Sequence, residues 1–183
     1  MIDKIKDDLR NSLSVFRYQH CLMVADEAKN LAIKYNCDKD KAYLAGLLHD
    51  ISKEFSDEDN RIWLKESDLD KSLLNEKYKK IIHADIGAVV AREKYHIDDD
   101  IYNAIKYHTI GHVPMSTLEK IVFIADKIAR VNNNPIVEKT RSLAYQNLDS
   151  AIKFFLENQK VNLEKNGQFI HPNSLELLRD LQN

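Results

Sequence analysis

Glycine and proline are scarce in this sequence, with four glycines and three prolines in 183 residues. Tight turns depend on these residues, so their scarcity argues against sandwiches and barrels and favours long helices. The chain also lacks the P-loop signature, the G-x-G-x-x-G dinucleotide fingerprint and the G-x-S-x-G nucleophile elbow. These absences exclude three common ways of binding nucleotides or activating a nucleophile.

No charge of either sign dominates, because 27 lysines and arginines face 29 acidic residues and the net charge is -2. This balance gives no reason to expect a nucleic acid or an anionic membrane as partner. No apolar run approaches the roughly 18 residues of a membrane span, and the charged first ten residues do not resemble a signal peptide. Cys21 and Cys37 are expected to be reduced thiols in a cytoplasmic protein.

Helical periodicity runs through almost the whole chain. Apolar residues step by three or four from Leu13 through Phe16 to Leu31, with His20 among them, which indicates the inner face of one long helix. Further helices are predicted over about 40–51, 84–95 and 137–164, after the cap at Asp98–Asp100, after the capping box of Ser116 and Glu119, within 55–80, and after Pro172. A loop is predicted at Asn132–Pro135.

No repeat, low-complexity tract or long linker divides the chain. We therefore predict one all-α domain over residues 1–183. Its core is expected at about 14–130, followed by C-terminal helices at about 137–183.

The seven histidines fall into two groups. His96, His112 and His171 are expected at the surface or at helix caps. The others are expected on inward helix faces or at a helix start, and an imidazole there must be hydrogen-bonded or bound to a metal. That second group is His20, His49, His83 and His108.

Two aspartates accompany these histidines. Asp50 follows His49 directly, and Asp126 ends the apolar run Ile-Val-Phe-Ile-Ala, where a carboxylate needs a positive partner. A single inward histidine is usually a satisfied core residue, but several helices that each deliver His or Asp indicate a metal site. Imidazole and carboxylate together suit iron, manganese or zinc.

The order His, His-Asp, His, His, Asp resembles the HD-domain metal-dependent phosphohydrolases, and the two extra histidines match the members that hold two metals. Short sequence motifs narrow the resemblance to the YqeK-type family over about residues 14–130. These motifs are Arg17-Tyr18-x-His20, Ala45-Gly46-Leu47-Leu48-His49-Asp50-Ile51-x-Lys53, His83-Ala84, Tyr107-His108-Thr109-x-Gly111 and Met115-Ser116-x-Leu118-Glu119-Lys120-Ile121. The resemblance implies an HD-domain helical bundle.

The resemblance also implies a hydrolase that cleaves diadenosine tetraphosphate symmetrically into two ADP at a di-iron centre. Manganese, cobalt or zinc are the alternative metals. A metal-bound hydroxide would attack a phosphorus atom of the phosphate chain. This is the two-metal mechanism of phosphoryl hydrolysis. The expected ligands are His20, His49, Asp50 and Asp126 for one metal and His83 and His108 for the other, with Asp50 bridging.

Further residues are assigned to catalysis or substrate binding. Lys53 lies three residues after Asp50 and Arg17 three before His20, so helical spacing would place either cation to neutralise phosphate charge. Small residues at Ala45 and Gly46 are expected to leave room for metals and for close helix approach. Thr109, Gly111 and Arg130 are further candidates for substrate binding. Tyr78, Trp63 or Phe55 could stack on adenine, and the sequence does not choose among them.

One segment departs from the family pattern. After the final aspartate the family usually reads close to Asp-Tyr-Ile-Glu-Pro-x-Arg, whereas residues 126–132 read Asp-Lys-Ile-Ala-Arg-Val-Asn. This difference keeps two alternatives open: an HD phosphohydrolase for a mono-, tri- or cyclic nucleotide, and a non-catalytic nucleotide-sensing metal protein. The expected partners are a dinucleoside polyphosphate or a nucleotide such as ADP, and a second copy of the chain as a homodimer.

Overall fold

The computed structural model describes residues 1–67, 69–130 and 134–182, and helices build it throughout, with no strand in these ranges. The helices are α1 (Ile2–Ser12), α2 (Val15–Lys34), α3 (Lys39–Leu48), α4 (Asp57–Glu66), α5 (Ile82–Tyr95), α6 (Asp99–Tyr107), α7 (Thr117–Ile128), α8 (Pro135–Ala144), α9 (Leu148–Lys165) and α10 (Pro172–Asp180). Two short 3-10 turns, Lys71–Leu74 and Glu76–Tyr78, lie between α4 and α5. The predicted all-α class is confirmed.

Side-chain caps fix where several helices begin. Ser116 accepts a hydrogen bond from the Glu119 amide at 3.3 Å, and the Glu119 carboxylate accepts one from the Ser116 amide at 2.6 Å. Asp98 accepts a hydrogen bond from the Ile101 amide at the start of α6. Each cap satisfies amides that have no partner inside the helix. Both predicted caps are confirmed.

The close packing of α2 against α3 positions the inward histidines. Gly46 of α3 faces the backbone of α2, and a Cβ atom at this position would lie 2.9 Å from the Cα of Ala25. Only hydrogen fits in that space. The contact matters because α2 carries His20, whereas α3 ends at Leu48, directly before His49 and Asp50.

The C-terminal helices reach back to the loop after α6. Ser174 of α10 donates a hydrogen bond to the carbonyl oxygen of Ile110 at 2.8 Å. Gly111 has a φ of +66°, and a Cβ there would collide with the side chain of Leu177. The positive φ favours glycine, and a larger residue would also have to displace the side chain of Leu177. Leu177 and Leu178 belong to the same buried cluster as the residues of α1 to α9.

Two details of the predicted helices are wrong. The helix expected over 137–164 is interrupted at Tyr145–Asn147, because Asn147 caps a new helix by accepting a hydrogen bond from the Ser150 amide. Phe16, expected on an inner face, is 61% exposed in the first turn of α2. The loop predicted at 132–135 lies half outside the described residues.

Within the described part of the chain, no helix is both long and apolar enough to cross a membrane.

Candidate metal centre and phosphate cavity

Six side chains singled out in the sequence converge between the helices. His20 comes from the middle of α2, His83 from the start of α5 and Asp126 from α7. His49 and His108 do not lie within helical faces as expected but directly after α3 and α6. The four histidines and Asp50 are all at most 5% exposed. The structure therefore brings the predicted metal ligands together.

Asp50 lies at the centre of the cluster and faces two groups of histidines. Its Oδ2 is 3.3 Å from Nε2 of His49 and 3.9 Å from Nε2 of His20. Its Oδ1 is 3.2 Å from Nε2 of His83 and 3.7 Å from Nε2 of His108. A carboxylate with one oxygen toward each group can bridge two cations.

Asp126 completes the first group. Its Oδ1 lies 3.0 Å from Nε2 of His20 and 3.5 Å from Nε2 of His49. The donor atoms form overlapping sets that could each hold an ion, with the atoms of each set within 4.8 Å of one another. These sets are His20, His49 and Asp50; His49, His108 and Asp126; and Asp50, His83 and His108.

The helix ends orient two of the imidazoles. Nδ1 of His49 is 2.7 Å from the carbonyl oxygen of Gly46, and Nδ1 of His108 is 2.6 Å from that of Ile105. Each ring therefore donates from Nδ1 to a carbonyl three residues earlier, at a helix end that needs donors. This leaves the lone pair of Nε2 facing the cluster, as in metal-binding histidines.

Nε2 of His49 is the clearest sign that the cluster fits a cation. This atom is buried and makes no well-directed hydrogen bond within the described structure. Burial opposes its protonation, but Asp50 and Asp126 raise the pKa of His49 well above its usual value. A divalent cation would replace that proton and satisfy both carboxylates. The donor set thus fits a divalent metal.

The ionisation of the other groups agrees with metal binding. Burial lowers the pKa of His83 to about 3, which keeps its ring neutral with a lone pair on one nitrogen. Burial would raise the pKa of Asp50, but the charge of His49 and the nearby His108 and His83 hold it well below its usual range. Burial would also raise the pKa of Asp126, but Lys127 and His20 lower it well below its usual value. Both carboxylates are therefore charged near neutral pH.

Three cations surround the cluster. Arg17 Nη1 lies 2.6 Å from Asp50 Oδ2, and Lys127 Nζ lies 2.6 Å from Asp126 Oδ2. Lys53 Nζ lies 3.2 Å and 3.1 Å from the two ring nitrogens of His83. Lys53 lies in a turn after α3 and not on a continuation of that helix. The helical spacing from Asp50 that predicted its position was therefore wrong, although its side chain does reach the site. Lys127 was missed, although it adjoins Asp126 in the sequence.

Arg130 contacts the cluster from outside the cavity. Its Nε donates a hydrogen bond to Nδ1 of His20 at 3.1 Å, and its guanidinium lies 4.3 Å from the ring centre of Phe16. A neutral histidine that binds a metal through Nε2 carries its proton on Nδ1. A cation on Nε2 of His20 therefore requires Arg130 to give up this hydrogen bond.

A cavity of about 500 Å³ opens from the cluster to the surface. Its lining includes six cationic side chains, Arg17, Lys53, Lys77, Lys79, Lys80 and Lys127, against three carboxylates, Asp50, Glu76 and Asp126. The cavity is thus cationic in a chain of net charge -2.

The other predicted binding residues differ in position. Thr109 lines the cavity, and its buried hydroxyl has no hydrogen-bond partner among the described residues. Gly111 lies outside the cavity lining and packs against α10 instead. Phe169 and His171 line the cavity. Sequence reasoning missed Phe169 and expected His171 only at the surface or at a helix cap, because neither lies near a predicted ligand in the chain.

The arrangement of an adjacent His-Asp pair, further histidines and a distant Asp defines the class of protein. Residues 17–131 match the model of the HD domain. The chain belongs to the HD-domain family, as the sequence resemblance predicted.

The chain is also similar over most of its length to individual known proteins. It is 38% identical over 164 residues to the symmetrical bis(5'-nucleosyl)-tetraphosphatase of Halalkalibacterium halodurans, covering 89% of this chain and 87% of that one. It is 32% identical to the Bacillus subtilis protein of the same name, over 91% and 89% of the two chains. A predicted HD superfamily hydrolase involved in NAD metabolism from Clostridium acetobutylicum has a crystal structure that superposes with a TM-score of 0.92. That structure is 34% identical and covers 100% of this chain and 97% of its own.

Proposed function

We propose that this protein hydrolyses diadenosine tetraphosphate symmetrically into two ADP. The observation that carries the proposal is the cationic cavity, with six basic side chains against three carboxylates, that opens from a buried His/Asp cluster. A tetraphosphate chain is strongly anionic and suits such a lining. Similar proteins of comparable length are named symmetrical bis(5'-nucleosyl)-tetraphosphatases, which supports this substrate.

We propose that the cluster holds two divalent cations, with iron first and manganese, cobalt or zinc as alternatives. His20, His49 and Asp126 would bind one ion, His83 and His108 the other, and Asp50 both. When bound, such ions lower the pKa of a water molecule and neutralise phosphate oxygens. Asp50 suits the bridging role because its two oxygens face different histidines.

Three cationic side chains have distinct roles in this proposal. A cation on His83 would take the lone pair that Lys53 now contacts and free the ammonium group for a phosphate oxygen. Arg17 holds Asp50 through Nη1 and lines the cavity. Lys127 likewise holds Asp126 through Nζ and lines the cavity. Each would stabilise charge on the transferred phosphoryl group or on the departing ADP.

The remaining substrate-binding assignments concern Thr109, Arg130 and Gly111. Thr109 would donate its unpaired hydroxyl to a phosphate oxygen. Arg130, once released from His20, would be a further phosphate partner. Gly111 would act only indirectly, by seating α10 against the loop that carries Thr109.

Product identity tests the proposed reaction. The protein is loaded anaerobically with ferrous iron, given diadenosine tetraphosphate, and its products are separated by anion-exchange chromatography. We expect ADP alone. ATP with AMP would contradict symmetrical cleavage. No product with two metals bound would contradict the substrate and favour another nucleotide or a sensing role.

Two variants separate metal binding from phosphate binding. Asp50→Ala should abolish both metal binding and turnover, because it removes the bridging carboxylate. Lys53→Ala should retain metal but reduce the rate by about 10²-fold, the scale of one lost transition-state contact. Lys139→Ala, at an exposed position on α8, is the matched control and should leave the rate unchanged. Full activity of Asp50→Ala would contradict the metal assignment.

The organisation of the chain also remains a proposal. One domain over residues 1–183 is supported by a single buried cluster that includes residues from α1 to α10. The cytoplasmic location is supported by two unpaired cysteines. The homodimer stays a prediction.

A further inference from the structure

Three rings meet at the rim of the cavity, far from one another in the sequence. Tyr78 ends the second 3-10 turn, whereas Phe169 and His171 lie between α9 and α10. The ring centres of Tyr78 and Phe169 are 5.7 Å apart, those of Tyr78 and His171 5.8 Å, and those of Phe169 and His171 6.1 Å. We call these residues the aromatic rim.

The aromatic rim lies at the same cavity as the metal cluster. Phe169 and His171 line that cavity together with Asp50, His83 and Lys53. Lys77 Nζ lies 4.7 Å from the ring centre of Tyr78 and 5.6 Å from that of Phe169. One cavity therefore combines cations around the metal cluster with aromatic rings at its edge.

Phe169 is only partly covered by its neighbours. It is 43% exposed, although it lines a concave surface where an apolar ring could be covered. By contrast, Phe55 and Trp63 pack against the buried core. The structure thus favours the neighbourhood of Tyr78 among the three aromatic positions that the sequence left open.

His171 adds a directional hydrogen-bond donor. Its Nδ1 accepts a hydrogen bond from the Asn173 amide at 3.2 Å and caps α10. In the neutral ring this fixes the proton on Nε2. Burial and the neighbouring Lys77 lower the pKa of His171, which keeps the ring neutral. This Nε2 N–H can be offered to a ring nitrogen or carbonyl of a bound base.

We propose that the aromatic rim binds the nucleobase of one ADP half of the substrate, with the base stacked on Phe169 and hydrogen-bonded by His171. The inference rests on the proposed function for the identity of the substrate, but it concerns a separate contact. Stacking on an aromatic ring suits any nucleobase, because every base has a π-face. The phosphates of the same half then extend toward Lys53 and the metal cluster.

Equilibrium binding of ADP and of pyrophosphate tests the rim without relying on turnover. Both ligands carry a diphosphate, but only ADP carries a base. In the metal-loaded protein, titration calorimetry should show that Phe169→Ala weakens ADP binding by about tenfold, within the range for one stacked base. Pyrophosphate binding should change by less than about twofold, because the phosphate contacts are intact.

Two further variants and one spectroscopic signal complete the test. Phe169→Trp should retain ADP binding, because it keeps an aromatic face. Tyr145→Ala removes a partly exposed aromatic ring outside the cavity lining and should leave the affinities for ADP and pyrophosphate unchanged. The fluorescence of 1,N6-ethenoadenosine diphosphate should be quenched on binding to the unaltered protein and less so in Phe169→Ala.

The outcomes distinguish this inference from the proposed function. Equal losses for ADP and pyrophosphate, or no loss for either, would overturn the nucleobase subsite even if diadenosine tetraphosphate is cleaved to ADP. If the protein binds ADP in a Phe169-dependent way but does not cleave the tetraphosphate, the subsite stands and the proposed reaction fails.

Discussion

Replacing Gly46 with alanine tests the close approach of α2 and α3 that holds the metal-site histidines together. In a free helix this change is stabilising by about 1 kcal/mol, because alanine restricts the unfolded chain and favours the helix. Here the added Cβ would lie 2.9 Å from the Cα of Ala25 and 3.0 Å from the carbonyl oxygen of Val24. Both neighbours are backbone atoms, which no side-chain rotation can move away.

The size of the effect follows from these distances. Ordinary contact begins at 3.4 Å, so the two helices must separate by about 0.5 Å. Overpacking of this kind destabilises by about 1–3 kcal/mol, which the helix preference of alanine offsets in part. We expect a net loss of about 1 kcal/mol and a melting temperature lower by about 2–4 °C.

The metal centre should respond more strongly than the fold. A shift of about 0.5 Å exceeds the roughly 0.2 Å tolerance of metal–ligand distances. It also moves the Gly46 carbonyl, which orients His49 through Nδ1. Loss of such a supporting contact typically reduces metal affinity by about 10- to 100-fold. Calorimetric titration with manganese, together with thermal unfolding of the metal-free protein, measures both effects.

Gly87→Ala is the matched control, because Gly87 also lies inside a helix. Its Cβ would first meet side-chain atoms, the Ser52 hydroxyl at 3.2 Å and a methyl of Ile51 at 3.4 Å. We expect a smaller loss of stability and of metal affinity there. If Gly46→Ala matched the unaltered protein in melting temperature and metal affinity, the reasoning about this helix contact would be refuted.

Two further predictions follow from side chains outside the cluster. The lowered pKa of His171 means that the unfolded chain binds more protons below pH 6.5, so stability falls as the pH drops through that window. His171→Asn can still cap α10, and its melting temperature should fall less as the pH drops. If the variant and the unaltered protein showed the same pH dependence of melting temperature, the lowered pKa of His171 would be contradicted. Burial raises the pKa of the Cys21 thiol to about 11. At pH 8, iodoacetamide should therefore alkylate the half-buried Cys37 while Cys21 reacts only after unfolding, as followed by mass spectrometry; equal rates would argue against this burial.

Local patterns predicted most of the helices because they depend on neighbouring residues. The capping box of Ser116 and Glu119 and the cap at Asp98 are contacts across three residues, so the sequence shows both partners. The break at Tyr145–Asn147 was missed because apolar residues continue at helical spacing on both sides. Phe16 was misplaced because periodicity identifies a face but not the point where that face leaves the core.

The aromatic rim shows what local patterns cannot predict. Tyr78 and Phe169 are separated by most of the C-terminal half of the chain, and neither lies in a motif. Their meeting depends on how α9 and α10 return to the cavity, which is a property of the packed helices. No spacing rule within the sequence connects them.

The sequence by itself determined the helical class and the kinds of side chain available for a metal. Helical periodicity is a local property, and a histidine or aspartate on an apolar face is visible wherever it occurs. Only the tertiary structure decided that the two oxygens of Asp50 face different histidines and that Lys53 reaches His83 through a turn. These relations depend on the packing of several helices against one another, because distances between side chains far apart in the chain exist only once the core has formed.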